Sequence, residues 1–242
     1  MKKNYIGTIK SIEKINNDTF KISIFSKLDS AKAGQFVSIL IPNKTMRRPF
    51  SISNFKKEEK GSTLEILFKK KGDGTTYISN LKIGEEIEFL APLGNGFEIK
   101  DENSLLVGAG IGIAPMLYLK KELNERNIKN YLISGFKSEI ETIQGSDKTI
   151  IGNSVLDYVE DIIKEKNIKL IYCCGPVVVL EKISKIGIKH NIEVQIAMEK
   201  IMACSIGVCR GCVIKLMRDN KIIPASVCKD GPIFKGNEII WE

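Results

Sequence analysis

The hydrophobic pattern changes character twice along the chain. In the first hundred residues it has the two-residue period of strands. Phe20, Ile22 and Ile24 alternate with Lys21 and Ser23; Leu64, Ile66 and Phe68 alternate with Glu65 and Lys69; Ile87 and Phe89 alternate with Glu86 and Glu88. Asn16-Asn17-Asp18, Pro42-Asn43-Lys44 and the polar stretch 56–61 supply turns between such runs. Short strands at this spacing predict a small antiparallel β-barrel. Ala91-Pro92-Leu93-Gly94-Asn95-Gly96 then marks a boundary.

Beyond that boundary, strand, glycine turn and helix alternate. A buried-type strand over 104–107 runs into Gly108-Ala109-Gly110-Ile111-Gly112, and a helix begins near Ala114, with Pro115 in its first turn and Met116, Leu119 and Leu123 on one face. Strands over 131–135 and 169–173 and helices over 154–166 and 177–186 continue the alternation, which predicts a Rossmann-like parallel sheet with crossover helices. From about Met198 the chain is short, rich in cysteine and too small for a core of its own. The expected division is a barrel over 1–98, an α/β domain over 99–197 and a small C-terminal segment over 198–242.

Composition narrows the function classes. Of 242 residues, 43% are hydrophobic and 27% charged, which excludes a disordered or collagen-like chain. The longest apolar run, Leu105 to Leu119, is broken by glycines and a proline and excludes a membrane span. Met1-Lys2-Lys3-Asn4-Tyr5 leads into polar alternation with no apolar leader, so the expected location is the cytoplasm. The net charge is +8, but the lysines are scattered, with no run longer than Lys69-Lys70-Lys71. That favours a solvated surface over nucleic-acid binding. With His190 as the single histidine, a two-histidine metal site is excluded, and no carboxylate pair or serine–histidine pair stands out. The chemistry must lie in cysteines, glycines and cofactors.

Three motifs carry it. Cys204-x4-Cys209-x2-Cys212-x15-Cys228 has the ligand spacing of a plant-type [2Fe–2S] site, where a tight loop with Ser205, Gly207 and Gly211 between ligands lets three thiolates wrap one cluster. Four thiolates also build structural zinc sites, but those usually pair two Cys-x2-Cys knuckles, and this chain has one. The glycines Gly108, Gly110 and Gly112 between strand and helix allow a phosphate to approach backbone N–H groups, or allow the helix to pack closely on the strand. Cys173-Cys174-Gly175-Pro176 ends a later strand of the same sheet, at the edge where ligands bind in such folds. Arg48-Pro49-Phe50-Ser51 offers a guanidinium fork suited to a pyrophosphate, and Gly74-Thr75 precedes a short amphipathic stretch, 77–81.

Together these motifs resemble the ferredoxin–NAD(P)H reductase superfamily. Within it, Arg47-Arg48-Pro49-Phe50-Ser51-Ile52, Pro92-Leu93-Gly94-Asn95-Gly96-Phe97, Met202-Ala203-Cys204 and Cys228-x-Asp230-Gly231-Pro232 resemble the electron-transfer subunits of NAD-dependent, type B dihydroorotate dehydrogenases. The resemblance covers essentially the whole chain. It implies FAD along Arg48, Pro49, Phe50 and Ser51, completed by Leu67, Phe68, Lys69, Gly74 and Thr75. It also implies NAD(H) at Gly108, Gly110, Gly112, Cys174, Gly175 and Pro176, and a cluster on Cys204, Cys209, Cys212 and Cys228.

It further implies a catalytic dihydroorotate-oxidising partner that carries FMN, in a heterotetramer of two plus two, with electrons passing between that FMN and NAD+. Three departures stand out: Ala91 and Ser205 where the family commonly has glycine, and Ile201 where an arginine often precedes Met-Ala-Cys. The alternatives are an NAD(P)H reductase feeding another acceptor, with Lys137 a cation for a 2′-phosphate, and a zinc-binding interaction module.

Overall fold

In the computed structural model, which describes residues 3–241, the two-residue period builds a closed barrel. Met1 and Lys2 of the predicted start, and Glu242 of the last segment, lie outside the described residues. The barrel strands are β1 (Lys3–Lys14), β2 (Thr19–Ser26), β3 (Phe36–Ile39), β4 (Arg48–Glu58), β5 (Gly61–Lys69) and β6 (Glu86–Leu93). They close in the order β1-β2-β5-β4-β3-β6, with every pairing antiparallel. Ile22, Ile24, Leu64, Ile66 and Phe89 fill the interior and are fully buried. Strand β6 runs to Leu93, so half of the expected boundary motif is strand and the chain leaves the barrel at Gly94.

A short helix, α1 (Asp73–Ser79), follows β5 and buries Ile78 in the barrel core. Gly74 and Thr75, expected ahead of a helix, lie inside its first turn. The Thr75 hydroxyl accepts the N–H groups of Lys71 and Gly72 at 2.9 and 3.1 Å, which satisfies donors at the helix start and lets the helix begin early.

The second unit is a six-stranded sheet of β7 (Ser104–Ala109), β8 (Asn130–Phe136), β9 (Lys148–Ile151), β10 (Leu170–Cys174), β11 (Glu193–Ala197) and β14 (Ile233–Lys235). Its order is β14-β11-β10-β7-β8-β9. Every residue of β7 and β10 is buried, as expected for strands covered on both faces. The helices are α2 (Ile113–Glu125), α3 (Val159–Lys166) and α4 (Val177–His190). Helix α2 is entered through a 3-10 turn over Gly110–Gly112. The expected helix over 154–166 is a 3-10 turn, Val155–Tyr158, before α3 begins, and α4 outlasts its expected end until left-handed Asn191 stops it.

The sheet is not wholly parallel. Strand β14 comes from the C-terminal segment and pairs antiparallel with β11. The rest of that segment forms a hairpin, β12 (Val213–Arg218) with β13 (Lys221–Ser226), and one helical turn, α5 (Val227–Asp230). Cys212, Leu216, Val227 and Phe234 share one apolar core with Val107, Ile171 and Ile196 of the sheet, so the segment borrows the core that it cannot build alone. Barrel and sheet are joined through Leu67. It points out of the barrel yet packs, 6% exposed, against Ile113, Ala114 and Phe136. Among the described residues no helix is long and apolar enough to cross a membrane.

Candidate functional site

Two cavities meet where barrel and sheet touch. The first, about 260 Å³, has Pro49, Phe50 and Ser51 of β4 and Leu67, Phe68 and Lys69 of β5 on one side. Ile111, Ala114 and Met198 face them from the other. Phe50 stands edge-on to Phe68, with centroids 5.6 Å apart, so the barrel wall is aromatic with the Ser51 hydroxyl beside it. A slot of this lining fits a flat aromatic ring system.

Arg48, Gly74 and Thr75 do not line this slot but gather beside one another at the start of α1. A side chain on Gly74 would press on Arg48 Cγ and Nε at 3.1 Å, so the missing Cβ is what lets the arginine lie there. Arg48 Nη1 donates to the carbonyl of Met46 at 2.7 Å, a bond that orients the guanidinium.

The second cavity, about 430 Å³, opens at the carboxyl ends of β7, β8 and β10 and shares Lys69, Lys71, Ile111 and Glu199 with the first. Gly110, Gly112, Gly175 and Pro176 line it together with Lys137 at the end of β8. Gly110 has φ +56° and open space where a Cβ would be, so its backbone is bare to the cavity. Gly108 and Cys174 are not brought to this surface. Gly108 faces Ile113, where it allows α2 to sit close on β7. Cys174 is buried in the sheet, and burial raises its thiol well above the ordinary range.

Glu199, which no motif marked, stands between the two cavities. The residue is exposed and lines both cavities, and the crowding of protein around the carboxyl raises its pKa, an effect that Lys71 partly offsets. Leu67 did leave a signal, since it breaks the alternation of β5.

The third element is the cysteine loop. All six cysteines are free thiols. The Cys209 N–H donates to Cys204 Sγ at 3.4 Å, the Gly211 N–H to Cys209 Sγ at 3.4 Å and the Cys228 N–H to Cys212 Sγ at 3.5 Å. The loop therefore draws Cys204 together with Cys209, and Cys212 together with Cys228. Burial pushes the Cys204 thiol up, but the N–H groups of Cys209, Ile206 and Val208 and the Cys209 thiol outweigh it and bring the pKa to about 6. Cys228 goes the other way, to about 12, through burial, then its hydrogen bond with Cys212 and the charges of Cys212 and Cys204.

Four sulfurs that sense one another, in two pairs with N–H donors aimed at them, fit a two-iron cluster. Among the described residues no three His, Cys, Asp or Glu side chains converge as ligands of one ion.

Comparison with known proteins gives consistent results. Residues 7–97 match the model of the oxidoreductase FAD-binding domain family, and residues 199–240 match that of the iron-sulfur cluster binding domain of dihydroorotate dehydrogenase B. The chain is 34% identical to the dihydroorotate dehydrogenase B (NAD(+)) electron transfer subunit of Caldanaerobacter subterraneus subsp. tengcongensis, over 96% of this chain and 97% of that protein. It is 36% identical to the subunit of that name from Clostridium perfringens, over 86% of each. Among solved structures, a chain of the NADH-dependent reduced ferredoxin-NADP oxidoreductase superposes with a TM-score of 0.83 at 26% identity, covering 97% of this chain and 90% of that one. The ferredoxin reductase of carbazole 1,9a-dioxygenase shares the fold, with a TM-score of 0.66 at 16% identity over 79% of this chain and 67% of that one.

Proposed function

The chain belongs to the family of dihydroorotate dehydrogenase B electron transfer subunits, and from that premise we propose that its two cavities and its cysteine loop form one electron path. The protein is a flavin- and NAD-dependent oxidoreductase of the ferredoxin reductase type. It transfers electrons between a dihydroorotate-oxidising catalytic subunit and NAD+ in pyrimidine biosynthesis, with FAD, a [2Fe–2S] cluster and NAD(H) as cofactors. When bound, these groups supply hydride exchange with the nicotinamide and single-electron exchange at the cluster.

The protein's part is to hold and orient. Pro49, Phe50, Leu67 and Phe68 would wall the flavin and exclude water, Ser51 and Lys69 would offer polar groups to its ring, and Arg48 with Gly74 and Thr75 would take its phosphates. Gly110, Gly112, Gly175 and Pro176 take the dinucleotide, with Gly108 and Cys174 supporting them from behind. Cys204, Cys209, Cys212 and Cys228 would hold the cluster, Cys204 drawn beside Cys209 and Cys212 beside Cys228.

One observation carries this reading. Met202, two residues ahead of Cys204, lines the barrel cavity beside Phe50 and Phe68, so the cysteine loop abuts the flavin slot. Around the loop Ile201 and Val208 are 88% and 78% exposed, an apolar face suited to the catalytic subunit. We assign FMN to that partner, two copies of each chain to the complex, and the cytoplasm as its compartment, where free thiols stay reduced.

The test is the visible spectrum, flavin and iron content of the full chain co-purified with a dihydroorotate-oxidising subunit, followed by NADH formation on adding dihydroorotate. Flavin and iron–sulfur bands with that activity, lost in Cys209→Ser, are the expected result. Bands without the activity would redirect the reading to another acceptor, and a colourless zinc protein would overturn it.

A further inference from the structure

A buried hydroxyl pair ties the cysteine loop to the barrel. Ser38 Oγ of β3 donates to Ser205 Oγ at 2.9 Å, and both residues are fully buried. Ser205 directly follows Cys204 and has φ +60°, a left-handed conformation that disfavours a residue with a Cβ. The turn made there carries the next N–H groups back onto Cys204. The Cys209 N–H is 3.4 Å from its sulfur, and the N–H groups of Ile206 and Val208 also favour the thiolate there. A serine in that conformation needs an external hold, and Ser38 provides it. The same strand serves the flavin slot, because Ser38 stands opposite Pro49 in the β3–β4 ladder.

We propose that Ser38, acting through Ser205, is a positioning residue for the cluster: the hydroxyl bond locks the loop with its N–H groups on the Cys204 sulfur and so sets the cluster's reduction potential. This rests on Cys204 being a cluster ligand. N–H donors at a ligand sulfur stabilise the extra negative charge of the reduced cluster and raise its potential. Without Ser38 the Ser205 hydroxyl is buried without its donor, the left-handed turn relaxes, and the donors drift from the sulfur.

The experiment uses the full chain with its flavin and cluster, comparing wild type with Ser38→Ala, Ser205→Ala and the double variant. Redox titration followed by electron paramagnetic resonance reads the cluster potential, and a chelator reads iron loss. Both single variants are expected to move the cluster potential to more negative values by the same amount, and the double variant no further, since the two hydroxyls form one interaction. Iron loss is expected to quicken roughly 10-fold, in line with the loss of outer-sphere partners at other metal sites. Flavin content and flavin potential stay as in wild type.

Should Ser38→Ala fold poorly, Ser38→Cys, slightly larger and a much weaker donor, fills the site and carries the same expectation. A Ser38 variant that retains flavin and shows wild-type cluster potential and iron loss would overturn the proposal. A wild-type chain that purifies without iron would instead overturn the cluster assignment beneath it.

Discussion

The backbone carbonyl of Cys174 occupies the space that a side chain on Gly112 would need. The turn after β7 and the end of β10 therefore touch backbone to backbone, and the missing side chain of Gly175 faces Ala109 across the same contact. This close approach makes the floor of the sheet-edge cavity. Gly112→Val should push the two strand ends apart and lower NADH-dependent flavin reduction by about 10²-fold, the penalty typical of an ångström-scale misplacement. Flavin and iron contents should hold. Stopped-flow reduction by NADH measures it, and an undiminished rate would show that the dinucleotide does not rest there.

Arg48 spends Nη1 on nearby backbone carbonyls, which fixes the direction of the fork at the start of α1. Arg48→Ala should weaken FAD binding by roughly 10- to 100-fold, the value of charge-assisted hydrogen bonds, while iron content is unchanged. Arg48→Lys should restore only part of the loss, since an ammonium lacks the fork. Flavin retained on gel filtration at low concentration is the readout, and full retention in the alanine variant would remove Arg48 from the phosphate site.

Tyr118, 4% exposed on α2, donates its hydroxyl to the carbonyl of Ala31 in the barrel at 2.8 Å. Tyr118→Phe keeps the ring and leaves that carbonyl without its donor, so it should destabilise the chain by about 1–2 kcal/mol. Denaturant unfolding of the flavin-loaded protein would show it as a lower midpoint at unchanged slope.

Glu122, one turn further along α2, is half-buried. Burial raises its carboxyl pKa, although the hydrogen bond from the Ala33 N–H and the charge of Arg126 pull it down. A carboxyl raised in the folded state favours folding most below its unfolded pKa of about 4.3, and that contribution is lost as pH rises through the folded value. Glu122→Gln should therefore gain on wild type in melting temperature between about pH 5 and pH 7, with the gap closing near pH 4. A gap independent of pH would mean that burial of the charge is not the cause.

Much of the fold was legible because it rests on local period. The strands around Ile22, Ile66 and Phe89 repeat every two residues, and the buried runs of β7 and β10 sit between turn residues. Strand β3 was not legible, since all four of its residues are buried. Val37 and Ile39 fill the barrel while Phe36 packs in the sheet core and Ser38 meets the cysteine loop, so no polar face remains to reveal a period. The C-terminal segment was read as separate, yet its β14 extends the sheet. A three-residue strand has too little pattern to announce its partner.

What the sequence determined by itself is chemistry that depends on residue type and short spacing: four thiolates at cluster intervals, a guanidinium beside an aromatic and a serine, glycines at a strand-to-helix turn. The tertiary structure decided which of these meet. It set Glu199 between two cavities, drew Gly108 and Cys174 back into the packing, and laid Met202 against the barrel slot. It also joined Ser38 to Ser205 across 167 residues of chain. Such pairings follow from how buried faces of separate elements satisfy one another, and a contact between distant residues leaves no period or spacing for the sequence to display.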